Sequence, residues 1–77
     1  MTEETKQIRE IIRKNLIRLR TEHKLTQTEA GKIVGKTKHG VASWEQGVSL
    51  PDPAVLFQLS KYYGVPMEEF YKGTEKE

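Results

Sequence analysis

The feature that most constrains this chain is a tight corner between two short helical patterns, residues 25–45, LTQTEAGKIVGKTKHGVASWE. Thr26 precedes the pattern and Glu29 follows three residues later, a capping box that opens a helix at Gln27. Gly35 stands where that helix must end in a left-handed residue. Thr37 then caps a second helix running to about Gln46. Helices joined by so short a turn must bring their backbones close together, and Gly31 supplies a residue with no side chain. Val41 plugs the corner from the second helix, and Trp44 lies one turn further along the same face. The expected geometry is a steep crossing of two helices with Val41 and Trp44 turned inward.

Around this corner the periodicity is helical. Ile8, Ile11, Ile12, Leu16, Ile17 and Leu19 form an amphipathic stripe over residues 5–22, which ends at His23-Lys24. Gln46-Gly47 stops the helix of the corner, and Val48-Ser49-Leu50-Pro51 reads as a loop. Asp52 before Pro53 is an N-cap with proline at the first helical position. The next helix presents Val55, Leu56, Leu59, Tyr62 and Tyr63 to the core and stops at Gly64. A short fifth helix from Pro66 to about Tyr71 returns Met67 and Phe70 to the core. The expected fold is therefore all-α, a five-helix bundle within one small domain of 77 residues.

Cysteine is absent, so disulfides and thiolate metal sites are excluded, which fits a cytoplasmic setting. No metal or other cofactor is expected. The start, MTEETKQIRE, is charged, and no apolar run approaches the length of a membrane span. No acidic pair, phosphate-binding glycine loop or histidine–nucleophile pairing suggests catalysis, so no enzyme is expected. The net charge of +2 is too small to imply a nucleic-acid partner by itself. Its distribution carries more: from Lys6 to Lys38 basic residues outnumber acidic ones ten to three, and from His39 onward acidic residues prevail six to three. A basic first half that includes the corner suits phosphate.

The two helices of the corner form a helix-turn-helix, a motif whose second helix commonly enters the DNA major groove. The pattern LTQ, then Gly35, then VASWEQG resembles the DNA-binding domain of lambda-repressor/Cro-like (XRE) transcriptional regulators, without gaps from about Ile12 to Phe70. The Trp44-Glu45-x-Gly47 segment at this distance from LTQ is more specific than a bare helix-turn-helix. Residues 1–11 then form an N-terminal extension, expected to be helical, 12–72 the DNA-binding domain, and 73–77 a flexible tail.

Position by position, the resemblance implies that Gln27 meets a phosphate at the start of the second helix and that the recognition helix spans 37–46. Base contacts are implied for Lys38, His39, Ala42 and Ser43, and phosphate contacts for Lys36 and Thr37 in the turn. Lys38 fits a phosphate nearly as well as a guanine edge. Glu45 resembles the family's glutamate that pairs with an arginine of the first helix, here Arg20. Three departures stand out. Ala30 occupies a position that is usually leucine, Gly40 lies inside the recognition helix, and Val48-Ser49-Leu50 replaces a loop that is often basic.

One recognition helix covers only a few base pairs, so the resemblance implies a homodimer on an inverted-repeat operator of double-stranded DNA, acting as a repressor. Val48, Leu50, Val65, Pro66 and Met67 occupy the segments that relatives use for the two-fold contact, with Ile8 and Ile11 as an alternative surface. No sensor domain, cleavable linker or metal cluster is evident, so control is expected from protein concentration or from a partner such as an antirepressor. An antitoxin role, with a toxin protein as partner, and a restriction-modification controller fit the same fold. A protein-binding adaptor fits less well, because Lys36 and Lys38 keep the turn basic.

Overall fold

The computed structural model describes residues 2–73. Helix α1 spans Glu3–Glu22, α2 Gln27–Ile33, α3 Lys38–Glu45 and α4 Pro53–Tyr63, and a 3-10 helix covers Met67–Tyr71. There is no strand among the described residues. None of these helices is long and apolar enough to cross a membrane.

Local chemistry sets nearly every boundary. Thr2 caps α1 through the Thr5 N–H, and residues 3–10 run into the rest of α1 as one helix. At α2 the reciprocal box is complete: Thr26 Oγ1 accepts from the Glu29 N–H at 3.1 Å, and Glu29 Oε1 accepts from the Thr26 N–H at 2.8 Å. Asp52 caps α4 through the Val55 N–H, with Pro53 opening the helix. That helix ends at Gly64, whose φ of 70° suits a residue without Cβ.

The recognition helix is one residue shorter at each end than the expected 37–46, because Thr37 and Gln46 are its caps. The fifth helix is a 3-10 helix, too short to establish an i→i+4 ladder and tethered from outside. Asn15 on α1 is buried, and its amide donates to the carbonyls of Phe70 and Lys72, each at 2.9 Å. Arg18 adds a 2.8 Å bond to Glu69, whose carboxyl it holds below the ordinary range. The tail expected over 73–77 lies, from residue 74, outside the described residues.

Ile12, Leu16 and Leu19 of α1 form one core with Val41 and Trp44 of α3, Val55, Leu56, Leu59 and Tyr63 of α4, and Phe70. Tyr62, expected beside Tyr63 in the core, is instead 54% exposed. Tyr63 falls one turn after Leu59 and Ser60 and stays on the buried side, whereas Tyr62 points about 100° away from it.

A candidate nucleic-acid interface

The corner between α2 and α3 depends on Gly31. A Cβ there would stand 2.5 Å from the Lys36 carbonyl oxygen, and Lys36 N–H donates to the Gly31 carbonyl at 2.8 Å. The chain reverses at Gly35, φ 70°, and Thr37 Oγ1 caps α3 by accepting from the Gly40 N–H at 3.2 Å. Lys36, Thr37, Lys38 and His39 are all exposed, so the turn and the amino end of α3 present two lysines and a histidine to solvent. Ala42 and Ser43 follow one turn later and are half-buried. Gly40 has room for a methyl: a Cβ would meet the Lys36 side chain at 3.7 Å, an ordinary van der Waals contact.

Besides Thr37, whose hydroxyl caps α3, two of the proposed contact residues are engaged within the protein. Ser43 Oγ lies 2.8 Å from Ser49 Oγ, and the Ser43 carbonyl accepts from Val48 N–H at 3.0 Å, which fastens the loop leaving α3. Gln27 donates its amide to Glu45 Oε1 at 2.9 Å. Its backbone N–H, at the first position of α2, has no acceptor among the described residues.

The opposite side of α3 is locked to α1. Arg20 Nε donates to Glu45 Oε2 at 2.6 Å and Nη2 to Oε1 at 3.0 Å, a bidentate pair. Hydrogen bonding to that carboxylate raises the Arg20 pKa above its already high ordinary value. Sequence spacing gave no hint of Arg13, which donates to the Glu45 carbonyl at 3.1 Å and lies against Gly47. Long polar side chains find such partners through tertiary packing. Tyr63 stands near the pair, and burial pushes its phenol up to about 12, a rise that Arg20 partly opposes. No buried side-chain polar atom among the described residues lacks a partner.

The residues suggested for a two-fold contact divide. Val48 is 71% exposed, Leu50 is 37% exposed, and Pro66 is exposed as well. Val65 and Met67 are half-buried and pack against the chain's own core. Two further aromatics on α4 are exposed, Tyr62 and Phe57, of which only Tyr62 takes part in the apolar spacing of that helix. No group of acidic, histidine or cysteine residues suited to a metal ion occurs among the described residues.

Comparison with known proteins agrees with this geometry. Residues 16–70 match the helix-turn-helix family. Over 57 residues the chain is 33% identical to the cryptic phage CTXphi transcriptional repressor RstR of Vibrio cholerae, an alignment taking in 74% of this chain. The chain spans about half, 51%, of that relative's length. No solved structure matches it significantly. With the glycine corner, the capped α3 and the family match over most of its length, the chain belongs to the helix-turn-helix family, of the lambda-repressor/Cro-like (XRE) kind.

Proposed function

We propose that this chain is a sequence-specific, double-stranded DNA-binding transcriptional regulator that represses by occupying an operator. One observation carries the reading. Helix α3 is fixed from behind by Arg20 and Arg13, while its amino end, with Lys36, Lys38 and His39, is left clear of the core. A helix held in this way can enter a major groove without reorganisation, and its first-turn side chains then reach base edges. Lys38 donates to guanine O6 and N7, His39 to a base or a phosphate, and Ala42 offers a methyl to thymine. Lys36, Thr37 and the Gln27 N–H hold the flanking phosphates. Ser43 contributes mainly by anchoring the loop through Ser49.

The relative's printed role as a transcriptional repressor supports the same reading. Two copies on an inverted repeat would double the sequence read, with the exposed Val48 and Leu50 available at the junction. Selection of bound duplexes from a random pool, repeated with Lys38→Ala, tests the proposal. The expected result is an enriched inverted repeat in which the substitution relaxes one position per half-site. Weaker binding with an unchanged pattern would make Lys38 a phosphate contact. No enrichment at low salt would sink the regulator reading.

A further inference from the structure

Lys6 and Arg9 lie on the part of α1 that precedes the family match. With Glu10, Gly47, Val48 and Leu50 they line an open groove of about 400 Å³ between α1 and the loop leaving α3. Positions 6, 9 and 13 share one face of a helix. Arg13 fixes that face against the end of α3 through its bond to the Glu45 carbonyl. The one acid in the groove, Glu10, is occupied by Arg13 and, more distantly, by Lys14. Lys6 and Arg9 have no ion pair or side-chain hydrogen bond among the described residues. The loop they border, Val48-Ser49-Leu50, carries no charge, yet it follows the helix proposed to enter the groove.

We infer that Lys6 and Arg9 are phosphate-backbone contacts, supplying from the extension of α1 the positive charge that the loop after α3 lacks. The inference rests on the DNA-binding reading above. A helix seated in the major groove brings the protein against the sugar-phosphate strands bordering it. Across the groove from the loop that leaves the carboxyl end of α3, the cations are those of this α1 face. Phosphate contacts of this kind add affinity and salt dependence without sequence preference.

The test titrates the full chain, K6Q/R9Q, K6R/R9K and K61Q/K72Q against a short mixed-sequence duplex across a salt series. Thermal melts verify that each variant is folded. K6Q/R9Q should bind several-fold more weakly, and its slope of log K against log salt should be shallower by about 1.8, at about 0.9 per lost contact. K6R/R9K should keep the wild-type slope, since charge is retained. K61Q/K72Q removes the same number of charges elsewhere and should also keep it. A wild-type slope for K6Q/R9Q overturns the inference and leaves the groove to a protein partner. An equal loss in K61Q/K72Q overturns it too, since the effect would then be one of net charge. If the wild-type chain binds no duplex at the lowest salt, the regulator reading itself falls and takes the inference with it.

Discussion

Arg20 and Glu45, 25 residues apart, meet through two parallel hydrogen bonds at 2.6 and 3.0 Å, and the remaining Nη1 of Arg20 donates to the Leu25 carbonyl at 2.7 Å. Glu45 is only 7% exposed and also accepts from Gln27. One carboxylate therefore joins α1, the start of α2 and the end of α3. The orientation of the proposed recognition helix depends on a charge that water hardly reaches.

Glu45→Ala should accordingly cost about 3–5 kcal/mol of unfolding free energy, because it strands a half-buried guanidinium and an amide. Urea denaturation measures this directly. A loss below about 1 kcal/mol would put the pair in the class of exposed surface bridges and remove its role in fixing α3.

How much of this could be read from sequence depends on how local each cause is. The capping box of Thr26 and Glu29, the turn at Gly35, the Asp52-Pro53 start and the Gly64 stop each need only neighbours within four residues, and all are legible. The Arg20–Glu45 pairing came from family resemblance, since nothing in the spacing alone pairs residues on different helices. Arg13 on the Glu45 carbonyl, Ser43 on Ser49 and Asn15 on the Phe70 carbonyl were not legible, because the fold brings those partners together. The same applies to Tyr62 and Tyr63: both fit the apolar spacing, and only packing selects Tyr63.

The two helical glycines should respond in opposite directions to alanine. At Gly31 the new methyl would sit 2.5 Å from a backbone oxygen, so α2 and the turn must separate, at a cost of about 1–3 kcal/mol or more. At Gly40 the nearest atom is 3.7 Å away, and alanine should stabilise by up to about 1 kcal/mol through its helix propensity. Thermal melts of the two variants decide the matter. A stabilised Gly31→Ala would mean that the corner does not need the close approach described above. Duplex binding by Gly40→Ala adds a functional test, since a marked loss would show that α3 backbone lies against a base.

Ala30 and Trp44 line the same small void, about 10 Å³, enclosed by residues of all four α-helices. Leucine at position 30 adds three carbons that this space cannot take, so Ala30→Leu should cost about 1–3 kcal/mol by overpacking. Since both side chains border this void, a larger residue at position 30 would compete with the indole for it. Combining Ala30→Leu with Trp44→Leu should therefore destabilise by less than the sum of the single changes, with a coupling of about 1 kcal/mol in a double-mutant cycle. Strict additivity would show that the two side chains do not compete for one space.

Tyr63 gives the chain a pH dependence on the alkaline side. Burial raises its phenol from 10.0 to about 12. Between those values an unfolded chain has lost the phenolic proton while the folded chain still holds it. The unfolded state then binds fewer protons, so stability falls as pH rises. The contribution is fully present below pH 10.0 and is lost through about pH 12, a total of about 3 kcal/mol. Tyr63→Phe removes this titration, and the phenol makes no hydrogen bond among the described residues that the change would break. Denaturation curves of the two proteins should therefore run together near neutrality and diverge above pH 10, with the phenylalanine variant the more stable. Curves that stay parallel through this range would mean that the phenol ionises as readily folded as unfolded, and that water reaches its hydroxyl beside Arg20.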